Sequence, residues 1–123
     1  MAHRFLQIAV IYLFVGALLG SAMGALQNFA LIPVHAHLLL LGWVSLALAG
    51  IIYHLYPFAS KTLLAKLHFW IHNLALPAFM GSLALYLLGH GSMIVGVIVG
   101  GSFVLIGLGV FALNVLINVK PIA

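Results

Sequence analysis

The apolar positions of the chain fall into four long runs, at about residues 5–26, 34–56, 62–88 and 92–118. The breaks between them, "QNFALIP", "YPFASK" and "GHGS", contain proline, glycine or small polar residues, which interrupt helices. A helix needs roughly 20 apolar residues to cross a bilayer, so each run can form one span. The pattern predicts an all-α integral membrane four-helix bundle. Its loops are too short for a further domain, so we expect residues 1–123 to form a single transmembrane domain.

Composition supports this class and excludes several kinds of chemistry. Hydrophobic residues make up 67% of the chain and charged residues only 3%, which cannot supply the surface of a water-soluble protein. The absence of cysteine excludes disulfides, thiolate metal sites and cysteine nucleophiles. The absence of Asp and Glu excludes carboxylate acid–base pairs and Ser-His-Asp triads. There is no basic run, so the sequence does not predict nucleic-acid binding.

The few cations predict an orientation. Arg4 lies near the N-terminus, Lys61 and Lys66 lie around the second loop, and Lys120 lies near the C-terminus. Lys and Arg favour the cytoplasmic side, and these four share one side only if both termini are cytoplasmic. We interpret residues 5–26 as a retained helix rather than a cleaved signal peptide, and we expect a bacterial inner membrane.

Glycines recur at four-residue spacing on two of the predicted helices. Gly16, Gly20 and Gly24 lie on one face of the first helix, and Gly96 and Gly100 lie on one face of the fourth. Such faces let helices approach closely in a membrane. Two interpretations stay open, namely packing inside the bundle and contact with another subunit.

Three of the seven histidines lie within "LIPVHAHLLLLGWVSLALAGIIYHLYP", although an imidazole without a partner is costly in lipid. His35 and His37 are one residue apart, so on a helix that turns about 100° per residue they project to nearly opposite faces. They cannot bind one ligand together. Either one of them faces lipid, or each faces a separate protein surface. Haem fits the second case, because its axial ligands approach from opposite sides of the ring and the apolar stretch "LLLLGW" suits a porphyrin.

Further histidines form weaker candidates. His68 and His72 are four residues apart in "HFWIHN" and share one face of the third helix. They predict a cofactor contact or a metal pair, and the alternative is a hydrogen-bonded core face that includes Asn73. His90 lies at the outer end of the predicted third helix, at the membrane depth expected for His35 and His37. It is a candidate metal ligand, with an ordinary loop histidine as the alternative.

The inner end of the second run carries the amphipathic side chains of Tyr53, His54 and Tyr56. Side chains of this kind commonly anchor the end of a span at the membrane surface. We interpret all three as interfacial residues.

The stretch "PVHAHLLLLGWVSLALAGIIYHLYP" resembles helix two in the catalytic subunit of haem-copper oxidases and, more closely, of nitric oxide reductases. In both, a histidine near the outer end is followed by an aliphatic run with a glycine and a tryptophan. In that family the histidine is an axial ligand of a low-spin haem b, and it falls on His35. His37 matches the second histidine of the family's helix-ten His-x-His, in which one histidine binds the low-spin haem and the other the high-spin haem. The resemblance is strong over residues 33–57 and looser over 62–88.

The resemblance also implies an architecture. Subunits of this family have three arcs of four helices around a pseudo-threefold axis, and this chain resembles one arc. We therefore predict a homotrimer in which His35 of one chain and His37 of the next bind haem b. His90 corresponds to the end of the family's helix seven, which implies copper as a second candidate metal.

Departures from the family pattern narrow the chemistry that the resemblance implies. The helix-six His-Pro-Glu-x-x-Tyr motif, the His-His pair of helix seven and the glutamates of nitric oxide reductases do not occur. Proton pumping through carboxylate relays is therefore excluded. We predict a haem-b membrane redox protein that transfers electrons or handles oxygen or nitric oxide, with oxidase or reductase turnover and the electron donor left open. The alternatives are a non-enzymatic protein that handles haem or copper and a structural small membrane subunit.

Overall fold

A computed structural model describes residues 1–122 and consists mainly of four long helices. Each is long and apolar enough to cross a membrane, which indicates a membrane protein. The prediction of an all-α chain with four such helices is confirmed, and each helix boundary lies within three residues of the predicted one. A short helix over Pro57–Ser60 and a 3₁₀ turn over Gly91–Met93 join successive helices. The long helices are α1 (Ala2–Leu26), α2 (Ile32–Leu55), α3 (Leu63–Leu87) and α4 (Ile94–Asn118).

Local sequence chemistry accounts for several helix ends. Gln27 ends α1 in the left-handed region, with φ of 50°. Pro33 and Pro57 stand in the first turns of their helices, where the missing N–H has no helical partner in any case. Thr62 caps α3, because its Oγ1 accepts a hydrogen bond from the N–H of Ala65 at 3.2 Å.

The middle of α2, Leu38–Val44, is a π-helix with α-helical segments on both sides. In an α-helix the N–H of Ser45 would bond the carbonyl of Leu41, four residues earlier. It bonds the carbonyl of Leu40 instead, and the Ser45 hydroxyl donates to the same oxygen at 2.7 Å. This turn therefore holds one extra residue, and the Leu41 carbonyl is released from its α-helical partner.

The four helices pack mainly as two pairs, α1 with α2 and α3 with α4. Glycines set the close approach in both pairs. A Cβ at Gly16 would lie 2.8 Å from Leu39 Cδ2, and one at Gly100 would lie 2.9 Å from the Cα of Phe79. Packing inside the bundle is thus confirmed for these two glycines, whereas a Cβ at Gly24 would meet nothing within 4 Å among the residues described.

Two apolar clusters join the helix pairs, while large apolar side chains also cover the outside. The outward-facing side chains include Phe14 (66% exposed), Leu105 (70%) and Leu116 (81%). A surface of this kind fits contact with lipid chains better than contact with water. The first cluster contains Phe5, Ala9, Leu46, Tyr53 and Phe69, and the second contains Val34, Leu38, Leu76, Met80 and Val104.

Candidate functional site

His35 projects from α2 toward α1. Its ring lies over Gly20, where a Cβ would come within 2.7 Å of the ring Cε1, so glycine makes room for the imidazole. Its Nδ1 donates a hydrogen bond to the carbonyl oxygen of Gly16 at 2.8 Å. A carbonyl can only accept, so Nδ1 carries the proton and Nε2 of the neutral ring keeps its lone pair.

His37 projects toward α3 instead. Its ring meets Phe79 edge to face, with centroids 5.4 Å apart and planes at 75°. Its Nδ1 donates to the carbonyl oxygen of Pro33, one turn earlier in the same helix. Nε2 of the neutral ring is therefore again the nitrogen with a free lone pair.

The two imidazoles of the His-Ala-His sequence thus lie on separate protein surfaces. Both rings are half-buried, and each contacts another helix of its own chain. Each ring therefore contacts a protein surface, as the second of the two alternatives requires. In both rings a carbonyl holds Nδ1 while Nε2 stays a Lewis base, which is the arrangement of metal-binding histidines.

His68 lies deep in the core and is 1% exposed. Its ring is stacked between Phe5 of α1 and Phe111 of α4, with centroid distances of 5.0 and 4.6 Å and interplanar angles of 25° and 26°. Its Nδ1 lies 3.2 Å from the hydroxyl oxygen of Tyr53. Phenyl rings therefore cover both faces of this imidazole.

His72 lies one turn further along α3 and is 0% exposed, with its ring centroid 5.5 Å from that of His68. Its Nε2 donates at 2.8 Å to the Leu41 carbonyl, the one that the π-helix releases. Its Nδ1 is buried without a hydrogen-bond partner among the described residues. The shared face of the two histidines is confirmed. Asn73 is not part of it through a hydrogen bond, because its Nδ2 donates to the carbonyl of Phe69 in its own helix.

Asn114 of α4 joins three helices, a role that the sequence pattern alone did not indicate. It is 0% exposed, and its Nδ2 donates to the Tyr53 hydroxyl at 3.3 Å and to the Ala59 carbonyl at 3.1 Å. Its Oδ1 lies 3.0 Å from the Thr62 hydroxyl and 2.8 Å from Nδ2 of Asn118. One sequence feature could have revealed this role: Asn114 places an amide inside the most apolar of the four helices, where polar groups need partners.

Tyr53 is the second residue whose place differs from the sequence-based prediction. It is 1% exposed and packs in the core against Phe5, His68 and Phe111, so its interpretation as an interfacial anchor is wrong. Its hydroxyl accepts from Asn114, which leaves the hydroxyl proton for Nδ1 of His68. The hydrogen-bonded chain from α4 through α2 to α3 is therefore complete.

The remaining candidates lie at the surface. His90 is exposed in the loop between α3 and the 3₁₀ turn, and His54 is exposed near the end of α2. Within residues 1–122 no three His, Cys, Asp or Glu side chains come close enough to hold one metal ion. Metal binding by His90 and cofactor binding by His68 and His72 stay predictions.

No family model, curated protein or solved structure matches this chain. The functional assignment therefore depends on the geometry of the histidines. Among them, His35 and His37 combine partial exposure with an available Nε2, whereas His68 and His72 are enclosed in the core.

Proposed function

We propose that this chain is an integral membrane protein that binds haem b through His35 and His37 and acts as a redox protein. Four helices of spanning length support the membrane assignment. All Lys and Arg residues lie near the termini and the second loop, which supports cytoplasmic termini. The resemblance of residues 33–57 to a haem-binding helix supports the choice of cofactor.

The observation that carries the proposal is the hydrogen bonding of the two imidazoles of the His-Ala-His sequence, which leaves Nε2 of each ring without a partner among the described residues. A main-chain carbonyl holds Nδ1–H of each ring, which fixes its orientation and makes Nε2 a better ligand. Neutral imidazole is the form that binds iron, and no carboxylate side chain is present in the sequence to hold Nδ1–H in the same way. Haem b, when bound, supplies one-electron chemistry at its iron.

The separation of the two rings supports binding between chains. In one chain His35 lies over α1 and His37 lies beside α3, so the pair does not converge on a common point. Two chains would then hold one haem iron together, each through one of these imidazoles. Resemblance to one arc of a three-arc ring supports a homotrimer, with His35 of one protomer facing His37 of the next.

Orientation can be tested with single cysteines, because the chain has none of its own. We expect a membrane-impermeant maleimide to label Ser92→Cys in intact cells and Ser60→Cys only after permeabilisation. Ser60 is the last residue of the short helix before Lys61, and Ser92 lies in the 3₁₀ turn. Labelling in the reverse order would contradict cytoplasmic termini.

Haem binding can be tested on the purified protein by a reduced-minus-oxidised spectrum. We expect a Soret band and an α-band in the wild type. His35→Ala and His37→Ala should each lower the bound haem per chain by about 10-fold or more, since each removes one of the two imidazoles that would hold the iron. His54→Ala is the matched control, because His54 is exposed on the same helix and should leave the spectrum unchanged.

The other outcomes separate the alternatives. A colourless wild-type protein that is fully folded would contradict haem binding and favour the structural subunit. Haem or copper that is lost during purification would favour a handling protein. A monomer with full haem occupancy would contradict the trimer. Carbon monoxide binding to the reduced form would favour gas chemistry over electron transfer, since gas chemistry needs an open position on iron.

A further inference from the structure

The hydrogen bond between His72 and Leu41 links the buried core of α3 to the irregular part of α2. The π-helix begins directly after His37 and releases the Leu41 carbonyl from its main-chain partner Ser45. A carbonyl without a donor is costly where water is excluded, and His72 supplies a donor to this partly buried carbonyl through Nε2 at 2.8 Å. The bond therefore stabilises the π turn relative to a regular α-helix.

The π turn decides where the His-Ala-His imidazoles point. One extra residue in a helical turn rotates the part of the helix before it by about 100° about the helix axis, relative to the part after it. His35 and His37 lie before the turn, and Tyr53 lies after it in the core. A regular α-helix with Tyr53 in its present place would turn the two imidazoles away from Gly16 and Phe79.

His72 is itself held firmly enough to act as an anchor. Its backbone is packed against Gly107 of α4, where a Cβ would lie 3.4 Å from the His72 nitrogen. Its ring lies against His68, which is stacked between two phenyl rings. Because Nδ1 has no partner within the described chain, the hydrogen bond to Leu41 is the directional contact of this side chain.

We propose that His72 is a positioning residue whose Nε2–H holds the Leu41 carbonyl, keeps the π turn in α2 and so sets the direction of His35 and His37. The inference rests on the proposed function of that pair as haem ligands. It assigns His72 no contact with haem. The titratable group beside it is His68 on its own helix, whose ring centroid lies 5.5 Å away.

The first test compares His72→Leu with His72→Gln in the purified haem protein. Leucine removes the donor, so we expect a changed low-spin electron paramagnetic resonance signal, which reports ring-plane orientation, and about 10-fold less bound haem. Glutamine can donate from its amide and should restore the wild-type signal. Asn73→Leu is the control, because it removes the neighbouring polar side chain of the same helix, whose hydrogen bond is to the Phe69 carbonyl of that helix. A wild-type signal and occupancy in His72→Leu, or the same change in Asn73→Leu, would overturn the proposal.

A second variant changes the helix and leaves His72 in place. Deletion of Leu40, which is 60% exposed, removes the extra residue and should restore an α-helical ladder. We expect the same altered signal as in His72→Leu, and an unaltered signal would overturn the proposal. An unaltered signal overturns the proposal even if His72→Leu does not fold, because the π turn would then not set the directions of His35 and His37.

Failure of this inference is distinguishable from failure of the proposed function. If the wild type carries no haem, the proposed function fails. Nitrogen-15 resonances of the His35 and His37 imidazoles then decide the positioning role in the haem-free protein. Both should shift in His72→Leu and return in His72→Gln, and unchanged resonances would contradict the role of His72.

Discussion

Replacing Gly100 by alanine is expected to destabilise the protein by about 2–3 kcal/mol, the upper part of the range for overpacking a close contact. The new Cβ would lie 2.9 Å from the Cα of Phe79 and 3.1 Å from its backbone nitrogen. These are main-chain atoms of α3, so a side-chain rotation cannot relieve the contact and the two helices must separate. Unfolding in mixed micelles, followed by circular dichroism, measures the loss.

Gly109 provides the matched control in the same helix. A Cβ there would meet nothing within 4 Å among the described residues, so Gly109→Ala should be neutral or stabilising by up to about 1 kcal/mol. Equal effects of the two substitutions would show that α3 and α4 are not in the close contact described.

Replacing Asn114 by leucine is expected to cost about 2 kcal/mol. Interhelical hydrogen bonds in membranes are worth about 0.6 kcal/mol on average, and Asn114 makes three hydrogen bonds to residues outside its own helix. Leucine also leaves the Ala59 carbonyl and the Tyr53 hydroxyl with fewer partners in the core. The same micelle unfolding experiment measures the change.

Asn73 is the matched control for this substitution. Its Nδ2 bonds only a carbonyl of its own helix, and its buried Oδ1 has no partner within residues 1–122. Leucine there removes a buried polar atom without a partner, so Asn73→Leu should be neutral or stabilising by about 1 kcal/mol. If Asn114→Leu proved as stable as Asn73→Leu, the network around Asn114 would not contribute to stability.

The four helices were predictable because two independent signals agree along the chain. Apolar runs of spanning length set the interiors of the helices, and Pro33, Pro57 and the Gly89–Gly91 region mark their ends. The π-helix was not predictable from "LLLLGWV", since these side chains are equally apolar in either geometry. Its carbonyls bond the Ser45 hydroxyl and the ring of His72, which is distant in sequence.

The candidate site was predictable only in part. A separation of one residue is enough to show that His35 and His37 diverge, and a separation of four places His68 and His72 on one face. The residues that these histidines contact depend on which helices pack together and on how each helix is rotated about its own axis. The Asn114–Tyr53–His68 chain was therefore missed, because it joins residues 15 to 61 positions apart whose neighbourhood only tertiary packing creates.

The arrangement of the helices as two pairs implies an order of assembly. The α1–α2 hairpin carries both candidate iron ligands, but the residue proposed to orient them, His72, belongs to the α3–α4 hairpin. Of the two hairpins, the one synthesised earlier thus lacks the residue proposed to orient its imidazoles. Under the proposed function, docking of α3 and α4 must precede haem binding between protomers.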